Sequence, residues 1–189
     1  HLITEGEMLV KLTTRKIVVS GILGAIAILL GVTPLGLIAV PTPLGHATIL
    51  HVPAILGGVL EGPLVGLLIG LIFGLISFLR ATLPMFSDPL VAILPRLFIG
   101  ITAYLAYAST KRINSFLGYA LAGIVGTATN TVLVLGMAVI RDYIPLEVAV
   151  ASGLAHGIPE MIVATVLTVL LVGGIKRIRG FEDPAGNIR

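Results

Sequence analysis

Charged and amide side chains are rare in the long apolar runs of this sequence, and those that occur could bind a polar ligand. Arg96 directly follows a proline and could pair with an anion. His156 and Glu160 are four residues apart, so they share one face of a helix. His51 and Asn130 lie in two other apolar runs. Because an ionisable group inside a bilayer costs several kcal/mol, such residues are candidates for a functional site.

The composition decides what kind of protein carries these residues. Of 189 residues, 57% are hydrophobic and 11% are charged, and the mean hydropathy is +1.11. Soluble domains have about 25% charged residues, so the chain is predicted to be an integral membrane protein without room for a separate soluble catalytic domain. The absence of cysteine excludes a disulfide scaffold and a thiolate metal site.

The apolar runs predict an all-α protein with six transmembrane helices in residues 17–175. Residues 1–16 form a cytoplasmic lead-in, and residues 176–189 form a polar cytoplasmic tail. The predicted spans lie near residues 17–40, 47–60, 64–79, 89–109, 116–140 and 148–175. Gly66, Gly70 and Gly74 are four residues apart and predict close packing of the third helix against a neighbour.

Lysine and arginine set the predicted orientation. With six spans, most basic residues gather on the side of the two termini, while Arg80 and Arg141 lie on the other side. The first group contains Lys11, Arg15, Lys16, Lys111, Arg112, Lys176, Arg177, Arg179 and Arg189. The positive-inside rule therefore predicts that both termini are cytoplasmic. The basic pI reflects this topology and does not imply a nucleic-acid partner.

The polar residues in the spans are predicted to converge on one pocket open to the outside. Its candidate ligand-binding residues are His46, His51, Arg96, Asn130, His156 and Glu160. A structural alternative stays open, in which Arg96 and Glu160 form a buried salt bridge and the histidines bond to backbone carbonyls. The threonines around Asn130 fit helix packing better than ligand binding.

Small residues form a stripe near the start of the first helix. Ser20 and Gly24 are four residues apart, as are Gly21 and Ala25. Such a stripe lets helix backbones approach closely in lipid. It could be a docking face for another membrane protein or a packing face inside the bundle.

Sequence motifs for catalysis are absent. The chain has no G-x-x-x-x-G-K-[ST] phosphate loop, no H-E-x-x-H zinc motif and no G-x-S-x-G nucleophile motif. We therefore expect no enzymatic activity, no metal site and no cofactor bound by this chain. Any coupling to ATP has to come from partner subunits.

Several stretches resemble a known family. They are the segment 48–79, the turn Gly62-Pro63-x-x-Gly66, the segment 95–107 and the small-residue stripe of the first helix. Together they resemble the substrate-binding S components of energy-coupling factor (ECF) transporters, the vitamin-uptake systems of prokaryotes. The resemblance covers nearly the whole chain.

This resemblance implies a multi-pass protein of the prokaryotic plasma membrane. Such subunits capture a vitamin from outside and associate with a transmembrane scaffold (EcfT-like) and two cytosolic ATPases, which use the ATP. The stripe at Ser20, Gly21, Gly24 and Ala25 would then contact the scaffold. The segment 33–48 would gate the site.

The substrate is predicted by comparing this sequence with the patterns of individual subfamilies. Riboflavin-type members carry an acidic residue and a serine shortly before a proline in the second helix, where this chain reads Leu50-His51-Val52-Pro53. The arrangement T-I-x-H-x-P at 48–53 looks more like pantothenate-type subunits. Arg96 could bind the pantothenate carboxylate, with Asn130 and His156 at the amide and hydroxyls. Riboflavin, folate, cobalamin and lipoate stay open as alternatives.

Two other classes of function also stay open. A self-sufficient secondary carrier could use Glu160 and His156 to relay protons or to bind a coupling ion. An intramembrane enzyme could use the histidines and Glu160. Inverted repeats and discontinuous helices favour a carrier; repeats are not evident, although Pro95 and Pro159 interrupt two helices.

Overall fold

Helices make up most of residues 14–42 and 45–179, the part of the chain that a computed structural model describes. The helices are α1 (Thr14–Val32), α2 (Val52–Glu61), α3 (Pro63–Arg80), α4 (Pro89–Ala92), α5 (Leu94–Thr110), α6 (Ser115–Ile140) and α7 (Leu146–Arg179). Counting α4 and α5 together, five of these segments are long and apolar enough to cross a membrane.

The second predicted span, residues 47–60, contains a short helix. Helix α2 has 10 residues, which corresponds to about 15 Å, or about half of a 30 Å bilayer core. Every residue of α2 is buried. The described residues thus contain five candidate spans and one short buried helix, and the sixth predicted span is not confirmed.

A β-hairpin that was not expected from the sequence lies between α1 and α2. Helix α1 ends at Val32, and a 3₁₀ turn at Pro34–Gly36 leads into strands β1 (Leu37–Thr42) and β2 (Gly45–Thr48). The strands are antiparallel, with Leu37 opposite Thr48. Proline removes a backbone donor and ends a helix, so the apolar residues after Pro34 continue as a strand.

The fourth predicted span is broken near its start. A turn at Ile93 separates α4 from α5, and Pro95 lies in the first turn of α5. Proline is well tolerated there because its missing N–H has no partner in a first turn. Pro159 lies inside α7, which continues to Arg179, past the predicted helix end near residue 175.

The glycines of α3 pack directly on the backbone of α5, as their spacing predicts. A Cβ atom added at Gly66 would lie 2.7 Å from the Cα of Gly100. One added at Gly70 would overlap the carbonyl oxygen of Arg96. Such contacts exist only where no side chain separates the helices. They hold the first turn of α5 firmly against α3.

The helices alternate in direction, so the bundle has two distinct ends. We call the end that contains the hairpin, the last turn of α3 and the first turn of α5 the cavity end. At the opposite end, Arg15 near the start of α1 pairs with Glu61 at the end of α2, with Nε and Oε1 3.3 Å apart. Tyr107 near the end of α5 stacks on Tyr119 near the start of α6.

Candidate functional site

A cavity of about 350 Å³ opens at the cavity end of the bundle. Its wall is built by the end of α1, the hairpin, the second half of α3, the segment 82–86, the first turn of α5 and the facing parts of α6 and α7. Small-molecule sites commonly have volumes of about 300–1,000 Å³. The cavity therefore fits a small ligand.

Arg96 is the buried cation of this wall. Its side chain is nearly inaccessible, with 3% of the residue exposed. One terminal nitrogen donates to the carbonyl of Val91, and Nη2 lies 3.4 Å from Ser77 Oγ. The guanidinium carbon lies 5.3 Å and 5.0 Å from the ring centroids of Phe73 and Phe86. These contacts fix the guanidinium, while Nε has no hydrogen-bond partner among the described residues.

Glu160 does not neutralise Arg96 directly. The described residues contain no ion pair between the two side chains. Glu160 Oε1 instead accepts a hydrogen bond from the backbone N–H of Thr48, at 2.5 Å. Glu160 thus ties the end of β2 to α7, and the alternative of a buried Arg96–Glu160 salt bridge is wrong for this structure.

Two neighbouring residues of α6 bring further unpartnered polar atoms to the wall. Asn130 is 8% exposed, and its Oδ1 has no partner among the described residues. Thr131 Oγ1 is also buried without a partner. A buried polar group without a hydrogen bond costs about 1–3 kcal/mol. A ligand that offers matching groups would recover that free energy.

The three predicted histidines fall in two places. His46 and His156 line the cavity, as do Arg96, Asn130 and Glu160. His51 does not: it is fully buried at the start of α2, and its Nε2 lies 3.0 Å from Thr127 Oγ1 of α6. His51 is the N-cap residue of α2 and lies outside the described cavity wall, so its contact with a ligand stays a prediction.

Matches to known proteins identify the fold around this cavity. The family model described as "ECF transporter, substrate-specific component" matches residues 15–172. The chain belongs to this family. A relative, the pantothenic acid transporter PanT of Lactococcus lactis subsp. cremoris (strain MG1363), is 31% identical over 157 residues, covering 70% of this chain and 79% of the relative.

Membership explains the long apolar helices. S components are multi-pass proteins of the prokaryotic plasma membrane, and the five long helices of this S component fit that location. The family consists of transporter components and not of enzymes, in agreement with the expectation of no catalysis. In residues 14–42 and 45–179 no three His, Cys, Asp or Glu side chains come together as metal ligands.

Sequence analysis missed some residues that line the cavity of this S component. Arg80 ends α3 and donates to the carbonyl of Gly31 near the end of α1, so it joins the two helices beside the cavity. The sequence analysis used Arg80 only for topology. Its position in the last turn of a helix was the available signal, since basic side chains there often bind free carbonyls.

The small-residue stripe of α1 does not lie on one face. Gly24 is buried, and a Cβ atom added to it would lie 3.2 Å from Ile72 of α3. Gly21 and Ala25 are exposed, and a Cβ atom added at Gly21 would contact nothing within 4 Å. Ser20 donates to the carbonyl of Lys16 at 2.6 Å. Gly24 thus packs within the S component, while Gly21 and Ala25 face outward.

An ion pair joins the start of α4 to the end of α6. Asp88 accepts a hydrogen bond from the backbone N–H of Leu90 at 2.9 Å and one from Arg141 Nε at 2.7 Å. It thereby caps α4 and ties it to the end of α6. The hydrogen bond from Arg141 is the main cause that lowers the pKa of Asp88 below its ordinary value.

Proposed function

We propose that this S component captures pantothenate and presents it for ATP-driven uptake. The observation that carries the proposal is Arg96: a buried guanidinium without an ion pair among the described residues, with Nε unpartnered, in the wall of a cavity of about 350 Å³. A buried cation favours an anionic ligand. The similarity to a pantothenic acid transporter supports this particular anion.

The wall offers groups that match the parts of pantothenate. Arg96 would bind the carboxylate, because a guanidinium binds carboxylates through a planar set of donors. Asn130 and His156 would bind the amide and the hydroxyls. Phe73 and Met85 supply apolar surface for the dimethyl group. His46 and Glu160 complete the polar wall on the hairpin side.

Charge distribution supports an orientation with the cavity end outside. The described basic residues of the opposite end include Arg15, Lys16, Lys111, Arg112, Lys176 and Arg177. Among the described residues, Lys and Arg at the cavity end are fewer: Arg80 and Arg141 lie at the ends of α3 and α6, and Arg96 is buried in the first turn of α5. The positive-inside rule then places the opposite end, with the start of α1 and the end of α7, in the cytoplasm.

The exposed face of α1 is the proposed contact with a transmembrane scaffold, which would recruit two cytosolic ATPases. On this proposal the S component binds no cofactor, and its partners hydrolyse the ATP. Gly21 and Ala25 share this outward face with large apolar side chains such as Ile22 and Leu29.

Gly21→Leu should preserve pantothenate binding and abolish assembly, as measured by co-purification with the scaffold. Leu171→Ala, a change on an exposed part of α7, is the matched control.

Thermal stabilisation of the purified protein tests the substrate. A ligand that binds only the folded protein adds about 2.7 kcal/mol at roughly 100 times its Kd. Pantothenate should raise Tm strongly, while riboflavin, folate, cobalamin and lipoate should not. Lipoate is the sharpest comparison because it shares the carboxylate and lacks the hydroxyls. A shift with another vitamin alone would overturn the pantothenate assignment and keep the capture role.

Vesicles without ATPases test the role itself. The S component alone should bind pantothenate stoichiometrically and transport none of it. Uptake driven by a proton or sodium gradient in such vesicles would instead establish a secondary carrier.

A further inference from the structure

Three threonines on α6 have different hydrogen-bonding states. Thr127 and Thr129 donate to the carbonyls of Gly123 and Val125, each at 2.8 Å. These bonds to the residue four positions earlier are the usual way in which a threonine is satisfied within a helix. Thr131 makes no such bond, and its buried Oγ1 has no partner among the described residues.

Thr131 lies between the cavity and two glycines of α7. Its side chain lines the cavity and faces Gly153 and Gly157 of α7. A Cβ atom added at Gly157 would lie 3.1 Å from Thr131 Cγ2 and 3.5 Å from Oγ1. Because glycine has no side chain, these two positions of α7 offer Thr131 no polar side-chain group. A rotation about χ1 moves Oγ1 relative to the cavity, since threonine populates two rotamers in helices.

We propose that Thr131 is a specificity-determining residue that binds a hydroxyl group of the ligand together with Asn130. Asn130 Oδ1 is an acceptor and needs a donor, whereas the Thr131 hydroxyl can donate. A ligand hydroxyl satisfies both, because it donates one hydrogen bond and accepts another. A second carboxylate could not donate to Asn130. The assignment rests on the proposed function and identifies which part of the vitamin α6 selects.

Isosteric substitution by valine should affect different quantities at the two threonines. At Thr131 it should weaken ligand binding, and at the control residue Thr127 it should lower Tm. Thr131→Val removes a hydroxyl without a protein partner, so Tm without ligand should stay the same or rise, while pantothenate should bind about tenfold more weakly. Thr127→Val removes the hydrogen bonds to Gly123 and His51. It should lower Tm and leave the Kd for pantothenate within about twofold. Thr131→Ser should retain the affinity of the wild-type protein.

Pantothenate analogues that lack one hydroxyl complete the experiment. One of the two deoxy analogues should bind the wild-type protein about tenfold more weakly and should bind Thr131→Val with no further loss, a coupling that reports direct contact. Equal Kd values of pantothenate for Thr131→Val and wild type would overturn the role of Thr131 alone. Additive losses for both analogues would also overturn it. Failure of pantothenate to bind the wild-type protein would instead overturn the proposed function.

Discussion

The two ends of the bundle contain similar polar residues in opposite states. At the opposite end, Arg15 pairs with Glu61, and Lys176 Nζ lies 2.5 Å from the hydroxyl of Tyr107. At the cavity end, Arg96 has an unpartnered Nε and no ion pair with Glu160 among the described residues. One end satisfies its charges internally, whereas the other keeps polar atoms available.

This difference separates stabilising groups from ligand-binding groups. The described buried atoms without partners include Arg96 Nε, Asn130 Oδ1 and Thr131 Oγ1 in the cavity wall, whereas His51 Nδ1 and Thr165 Oγ1 also lack partners and do not line the cavity. Unsatisfied buried atoms cost stability, and a ligand in the cavity would recover this cost for the three atoms of its wall. Substitutions at the cavity end should therefore change affinity, and those at the opposite end should change stability.

The largest expected effect follows removal of Arg96. Arg96→Ala should weaken pantothenate binding by about 1.5–3 kcal/mol, or roughly 10- to 150-fold, because the carboxylate loses its charged donor. Tm without ligand should fall modestly, because the hydrogen bonds to Val91 and Ser77 are lost while no ion pair among the described residues is broken. Titration calorimetry and thermal unfolding measure the two quantities. Arg112→Ala, at an exposed cation of the opposite end, is the control; a collapse of Tm in Arg96→Ala would show a structural role.

A substitution at the contact between α3 and α5 should lower both the stability of the fold and the affinity for pantothenate. Gly70→Ala introduces a methyl group against the Arg96 carbonyl and should destabilise the fold by about 1–3 kcal/mol, with a weaker affinity because Arg96 is displaced. Gly136→Ala is the matched control, because a Cβ atom there contacts nothing within 4 Å. Thermal unfolding in detergent compares the two variants. Equal Tm values for Gly70→Ala and Gly136→Ala would show that the close contact between α3 and α5 is not rigid.

At the opposite end, Tyr107→Phe removes one hydroxyl and keeps the ring stacked on Tyr119. Loss of the hydrogen bond with Lys176 should lower the free energy of unfolding by about 1 kcal/mol. The Kd for pantothenate should not change. A lower affinity in isothermal titration would show that the two ends are coupled and would break the comparison.

The smallest expected effect is on the acid dependence of Tm, through the ion pair between Asp88 and Arg141. Because its partner Arg141 lowers the pKa of Asp88, the ion pair contributes stability above about pH 5, and this contribution is lost as the pH falls through the lowered pKa. Asp88→Asn should remove this part of the acid dependence of Tm. Asp142→Asn, at a neighbouring exposed carboxylate, should retain it. Identical Tm profiles of wild type and Asp88→Asn between pH 3 and pH 7 would contradict the prediction.

Sequence alone predicted the parts that depend on composition and spacing. The long apolar runs give five helices, and the glycines at 66, 70 and 74 give the contact between α3 and α5. Five of the six candidate ligand-binding residues line one cavity, because helices of alternating direction bring their ends together. The roles of these residues in binding stay predictions.

Other features depend on distances that periodicity does not contain. The apolar residues 37–40 fit a strand as well as a buried helix, so the hairpin was read as part of a helix and its connection. The rotation of α2 about its axis decides that His51 contacts Thr127 and not the cavity. The hydrogen bond between Glu160 and Thr48 joins residues 112 positions apart.

The short helix α2 also concerns the lipid around the protein. A helix of half the bilayer thickness would thin the membrane or tilt if lipid touched it, at a cost for each ångström of mismatch. All ten residues of α2 are buried, so the helices that surround it absorb this mismatch. Rearrangements of α2 and the adjoining hairpin that stay within the bundle therefore need no deformation of the bilayer. Pantothenate affinity should then be the same in thin and thick membranes.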